Sequence, residues 1–177
     1  MAVRDCYSRI VIFTLMSVAF LLASVEIAAS ASHPPRLLFL GAQLQNDNAA
    51  LEPTTDAERN RLAALEEQFL SKVSKSGSYS VVPITADLRK QVQAGQQLGQ
   101  CSGCEAAYGK TLHADRVAWI TVQKVSNLIL NLNLYVVDVA SGKTDYVKSV
   151  DIRGNTDESW SRSLKYLLDN YFLAGKA

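Results

Sequence analysis

The sequence predicts one small α/β (α+β) domain: a single mixed sheet of about five strands with helices packed on it, ending in an antiparallel meander. Three observations predict it. Short apolar runs alternate with segments of helical periodicity over the first two-thirds of the mature part. Three strand-like segments then follow one another across short turns. A last amphipathic segment closes the chain, and the resulting order is β-α-β-α-α-β-β-β-α.

His33-Pro34-Pro35 is a stiff extended leader, because proline fixes φ and restrains the residue before it. Arg36 to Gly41 is a continuous apolar run, read as a buried strand. Gln43 to Pro53 is polar and reads as a loop. Thr55 and Glu58 stand three apart as a capping box, and Leu62, Leu65, Phe69 and Val73 follow at helical spacing up to Gly77. Tyr79 to Ile84 is a second strand, placed at an edge or an end by Pro83. Thr85 to Val92 is a short helical piece. Gln91 to Gln100 is rich in Gln and Gly and reads as a mobile loop. Ser102 and Glu105 suggest a further capping box, with a helix from Gly103 to Leu112.

Arg116 to Val125 is a strand, and Ser126-Asn127 a turn. Leu128 to Val139 is the clearest strand, with Leu130, Leu132, Leu134 and Val136 on one face and Asn131, Asn133 and Tyr135 on the other. Ala140-Ser141-Gly142 turns the chain into the strand Lys143 to Arg153. Asn155 and Glu158 are expected to cap the last helix, with a core stripe of Trp160, Leu164, Leu167, Leu168 and Tyr171.

Met1 to Ala31 has the three parts of a secretory signal: Arg4 and Arg9, the apolar run Ile10 to Val25, and Ala29-Ser30-Ala31 as a small-residue cleavage site. The apolar run is 16 residues, short of the roughly 20 that span a bilayer. Cleavage after Ala31 leaves a single domain over 32–177, exported to the periplasm and not stably inserted in the membrane. Cys6 leaves with the signal. Eighteen basic and 17 acidic residues nearly cancel, which argues against a nucleic-acid partner held by bulk charge.

The segments Val122 to Leu134 and Asp151 to Trp160, together with Cys101-Ser102-Gly103-Cys104, resemble a family of secreted bacterial proteins known as a domain of unknown function. The resemblance spans nearly the whole mature chain and implies no activity; it carries a hint of proximity to quinone-cofactor alcohol oxidation. More distantly, Leu112-His113-Ala114-Asp115 followed by a strand and the hairpin Asp138 to Lys143 is similar to the amino-terminal α/β domain of TolB and to the periplasmic domain of CsgG. That likeness implies a partner-binding fold of the envelope.

Cys101 and Cys104 are the sharpest chemical feature. In an oxidising compartment a structural disulfide is the expected state, with thiol exchange and metal binding as alternatives. Residue 105 is Glu and not His, so c-type haem attachment is excluded. Asp151, Asn155, Asp157 and Glu158 lack the spacing of an EF-hand, and capping accounts for two of them. His113 is read as a helix C-terminal residue. No phosphate loop and no nucleophile elbow is present. The expectation is a non-enzymatic, cofactor-free accessory domain that contacts another envelope or periplasmic protein through Asn131, Asn133, Tyr135, Asp151, Arg153, Asn155 and Asp157. The alternatives are a thiol-disulfide protein using Cys101 and Cys104, and a ligand- or metal-binding accessory of an oxidation pathway.

Overall fold

A computed structural model describes residues 33–174. The expected signal segment, its cleavage after Ala31, and Cys6 lie outside the described residues. Five strands form one sheet: β1 (Arg36–Asn46), β2 (Ser80–Val82), β3 (Arg116–Lys124), β4 (Leu130–Asp138) and β5 (Thr144–Ile152). Their order across the sheet is β2-β1-β3-β4-β5. β1 is parallel to β2 and β3, while β3-β4-β5 is an antiparallel meander. This is the mixed sheet the sequence predicts.

Four helices pack on the sheet: α1 (Asp56–Ser76), α2 (Ala86–Ala94), α3 (Cys104–Thr111) and α4 (Asp157–Leu167). None of the described helices is long and apolar enough to cross a membrane. On the inner face, α1 contributes Leu65, Phe69 and Val73, and α4 contributes Trp160, Leu164 and Leu167. They close over Leu37 and Phe39 of β1, Ile120 of β3 and Leu132 and Leu134 of β4. On the outer face, α2 and α3 cover Leu38, Leu40, Val117 and Val137. The two cores follow strand alternation, since successive side chains point to opposite faces.

The local signals explain the elements. Thr55 and Glu58 form the reciprocal capping box that opens α1, and Gly77 ends it in the left-handed conformation at φ 67°. Thr85 caps α2 through Leu88 N–H. Asp138 closes the β4–β5 turn by accepting from both Ser141 N–H and Ser141 Oγ at 2.7 Å. Four expectations are corrected. β1 does not stop at Gly41 but runs to Asn46, because Gln43 to Asn46 pair with Thr121 to Lys124 of β3. A bulge at Leu40–Gly41 separates the two halves and inverts the alternation, so Ala42 and Leu44 join the inner core and Gln43 faces outward. Gly41 takes φ 120° there, and Glu66 Oε1 accepts the freed Ala42 N–H at 2.9 Å.

The second and third corrections concern caps. The N-cap of α3 is Gly103, without a side-chain bond, and Ser102 sits at φ 53°. The N-cap of α4 is Thr156, which accepts Ser159 N–H, and Asn155 turns elsewhere. The fourth concerns the last stripe. A π turn over Leu168–Phe172, closed by Leu173 N–H to Leu168 O at 2.9 Å, adds a residue to the helical repeat. Phe172 therefore takes the buried place expected of Tyr171, which is exposed.

Candidate partner-binding face

α2 and α3 cover the outer face over β2, β1 and β3 and reach the end of β4 at Val137 and Val139. The rest of β4 and all of β5 carry no helix on that side. Three rungs cross this open half of the sheet. Thr121 pairs with Asn133 and Ser149, Gln123 with Asn131 and Asp151, and Trp119 with Tyr135 and Val147. Along each rung exposure grows from β3 to β5: Asn131, Asn133 and Tyr135 are half-buried, and Val147, Ser149 and Asp151 are exposed.

The bonds on this face are few. Asn133 Nδ2 donates to Thr121 O at 3.3 Å. The Asn131 amide, oriented to donate, reaches Asp151 Oδ1 at 3.0 Å and Leu130 O at 3.2 Å. Tyr135 stacks on Trp119 with ring centroids 5.0 Å apart and planes 10° apart. The result is a surface of amides, a hydroxyl, one carboxylate, one aromatic ring and the exposed side chain of Val147.

The structure separates the remaining predicted residues from this face. β5 ends at Ile152, and the chain turns at Gly154, φ 91°, toward the inner side where α4 packs. Arg153 enters a groove of about 660 Å³ between the β5 edge and α4, beside Arg162 and Tyr166. Asp157 pairs with Arg61 Nε of α1 at 2.6 Å. Asn155 is a connector: its amide donates to Glu58 Oε1 at 2.8 Å and Asn127 Oδ1 at 2.9 Å, and its carbonyl accepts from Arg61 and Trp160 Nε1. Asn131, Asn133, Tyr135 and Asp151 thus stand together, Asp151 also lines the groove that Arg153 enters, and Asn155 and Asp157 lie apart.

Asn155 belongs to a network the sequence reading did not contain. Lys124 Nζ lies 2.8 Å from Glu58 Oε1, and both side chains are buried. Burial alone would push the Glu58 carboxyl up. Bonds from Lys124, Thr55 N–H, Asn155 and the Thr55 hydroxyl outweigh it and hold the pKa at about 2. The signal was present in the alternation, because Lys124 continues the inward series Ala118, Ile120, Val122. This ion pair is closed to solvent and all its partners are structural.

The disulfide joins Cys101 to Cys104 at the start of α3. Among the described residues, Cys101, Cys104 and Glu105 are the group close enough to hold a metal ion. With the sulfurs joined neither is a thiolate, the form that ligates metal. Glu105 is committed as well, since it accepts Gly99 N–H at 2.6 Å. The Gln/Gly loop is accordingly anchored and not free. Gln43 donates to Leu98 O at 2.9 Å and accepts Leu98 N–H at 3.2 Å, standing in for a neighbouring strand. Between this loop and the open face lies a groove of about 370 Å³.

A family profile matches residues 35–172, from the residue before β1 to the end of the π turn. The chain belongs to the DUF3280 family. The family is described as a protein of unknown function (DUF2380). No curated protein matches the chain as a relative. Among solved structures, the C-terminal domain of LpoB from Salmonella enterica is similar at 12% identity and TM-score 0.51, covering 71% of this chain and 87% of that one. Lipoprotein GNA1162 from Neisseria meningitidis is similar at 18% identity and TM-score 0.51, covering 80% of this chain and 99% of that one. At these identities the likeness is one of fold. The expected resemblance to TolB and CsgG is corrected: the fold is similar to those of the LpoB C-terminal domain and of lipoprotein GNA1162. It had rested on a helix, a strand and a hairpin, a unit that many α/β sheets share.

Proposed function

We propose that this family member is a non-enzymatic accessory domain of the bacterial envelope that holds another protein on the open half of its sheet. The observation that carries this reading is the uncovered outer face of β4 and β5. Its rungs Gln123–Asn131–Asp151 and Thr121–Asn133–Ser149 offer donors and acceptors with little charge, the composition of a transient interface. A periplasmic location is supported by the expected signal segment, by the disulfide, which persists in oxidising compartments, and by the fold shared with a protein named a lipoprotein.

The test is site-specific photocrosslinking in cells. A crosslinker at Ser149 should yield a discrete adduct of higher mass, and one at Glu67 on α1 should not. The double variant Asn131→Ala, Asn133→Ala should weaken the Ser149 adduct. Equal labelling from both positions, or none, overturns the reading. The placement of the disulfide at the start of α3 favours thiol exchange as a second reading. Insulin reduction by the purified protein, lost in Cys101→Ser, would establish that reading in place of the first.

A further inference from the structure

The two outer strands of the sheet present different edges. β2 is three residues long and is followed by Pro83, so it offers little backbone to pair with. β5 is nine residues long and contains neither proline nor glycine. Its pairing fixes which backbone groups point away from β4. Asp138 N–H donates to Lys143 O at 2.9 Å, and past the bulge the bonded phase falls on Tyr146, Lys148, Val150 and Ile152. Val147, Ser149 and Asp151 therefore turn their N–H and C=O groups outward. The Asp151 carbonyl shows the same phase, because the Ser163 hydroxyl of α4 reaches it at 2.8 Å. At Val147 and Ser149 both groups are without a partner among the described residues.

The space beside this edge is charged. The groove of about 660 Å³ between β5 and α4 is lined by three cationic side chains, Lys148, Arg153 and Arg162, against one carboxylate, Asp151. Arg162 is paired with Glu158 at 2.6 Å, and Asp151 is held by the Asn131 amide. Lys148 lies 3.7 Å from the centre of the Tyr171 ring and meets no carboxylate. The Arg153 guanidinium has no bond or ion pair among the described residues. On the opposite face of the strand Val147 is exposed. Free strand backbone is matched by another extended chain, which adds to the sheet through main-chain bonds. A second copy of this chain is disfavoured as that strand. Antiparallel pairing of β5 with itself would set inner face beside inner face and bring like cations together. An inward-pointing charge such as Lys148 is a device against self-pairing of an edge. It accepts a strand whose matching positions carry carboxylates.

We infer that β5 receives an extended acidic segment of the partner protein as a sixth, antiparallel strand. The segment bonds to the N–H and C=O groups of Val147 and Ser149. Its carboxylates enter the groove toward Lys148 and Arg153, and its alternate, apolar side chains lie beside Val147. This deepens the protein-binding reading and rests on it.

The test is an NMR titration of the exported chain, disulfide intact, with the probe peptide acetyl-Glu-Val-Glu-Val-Glu-amide. Saturable shifts at the Val147 and Ser149 amides are expected. In antiparallel pairing the two valines of the probe turn their N–H groups to β5, so N-methylation of both should abolish binding. N-methylation of the central glutamate, whose N–H points away, should be tolerated. These probes leave the protein unaltered, so the test holds even where a variant fails to fold. Lys148→Glu with Arg153→Glu should weaken binding about tenfold, as the loss of two exposed ion pairs and their reversal implies, and should favour the probe with Lys in place of Glu. No saturable binding, equal binding of the valine-methylated probe, or equal binding of chondroitin sulfate overturns the inference. A dimer of the chain that the probe disperses overturns it in favour of a second copy. A Ser149 crosslink in cells without probe binding sinks this inference and leaves the protein-binding reading standing; probe binding without the crosslink does the reverse.

Discussion

The two faces of the sheet are built on different terms. The inner face lies under α1 and α4, its side chains are almost all apolar, and its buried Glu58–Lys124 ion pair is completed by Thr55 and Asn155. The outer face lies under two short helices that cover half of it, and its middle is stitched by single amides: Gln43 to Leu98, Asn133 to Thr121, Asn131 to Asp151. It also keeps an unpaired donor at Trp119. The contrast teaches where stability lies in this fold and where the proposed partner would dock. On the inner face the charged groups are spent on each other and the Tyr146 hydroxyl is left buried and unpaired, whereas several polar groups on the outer face remain exposed.

The largest effect should come from breaking the inner network. Lys124→Met leaves Glu58 buried without its cation, and removing one partner of a buried pair costs about 3–5 kcal/mol. Urea denaturation at pH 7 measures it. Acid should do part of the same. The folded pKa of Glu58 is depressed to about 2 from 4.5, so its contribution is present above pH 4.5 and is lost as pH falls toward 2. The stability gap between the protein and Glu58→Gln should narrow across that window. A gap independent of pH between 5 and 2 would show that the carboxylate is not what the network stabilises.

The outer face should respond to steric change where α3 meets the sheet. Gly109 lets that helix approach closely: a Cβ there would lie 2.5 Å from Val139 Cγ2 and 2.6 Å from Val117 Cγ2. Gly109→Ala should therefore destabilise by about 1–3 kcal/mol, although alanine is the better helix former. A stabilised variant would mean that α3 rides loosely on the sheet, which would sharpen the contrast between the faces.

What could be read in the sequence was what local chemistry dictates. The Thr55–Glu58 box, Gly77, the Leu130–Val136 alternation and the β4–β5 turn are short-range patterns, and each appears where the sequence places it. What was missed depends on partners distant in sequence. Gln43 to Asn46 look like loop until β3 pairs with them. Asn155 looks like a cap until Glu58, 97 residues away, claims its amide. Tyr171 looks buried until a π turn shifts the phase by one. The candidate face was half legible, since alternation put Asn131, Asn133 and Tyr135 on one side. The direction of the turn after β5, which removes Arg153, Asn155 and Asp157 from it, is set by the packing of α4.

The disulfide should matter less than its prominence suggests. Cys101 and Cys104 are three residues apart, so the crosslink restrains little chain, and Glu105 and Gln43 hold the same loop independently. Replacing both cysteines by Ser should cost about 1–2 kcal/mol, below the ~2–4 of longer loops. Thermal denaturation with and without reductant gives the same quantity by a second route. A loss well above that range would make the outer face dependent on its crosslink in a way the inner face is not.

The smallest stability effect, and the one that bears most on function, belongs to the open rungs. Asn131 and Asn133 are half-buried, and each makes one or two bonds at the long or solvent-exposed end of the range. Their backbone groups belong to the β3–β4–β5 ladder and survive truncation of the side chain. Asn131→Ala with Asn133→Ala should therefore change stability by no more than about 0.5 kcal/mol, as surface substitutions do. If the outer face is kept polar for a partner, the same variant should lose most of the Ser149 photocrosslink while its urea midpoint stays in place. Loss of both together would make the two amides structural, like Asn155. Retention of both would move the partner off Asn131 and Asn133 to the β5 side of the rungs, where Ser149 and Asp151 border the groove that also holds Arg153 and Tyr166.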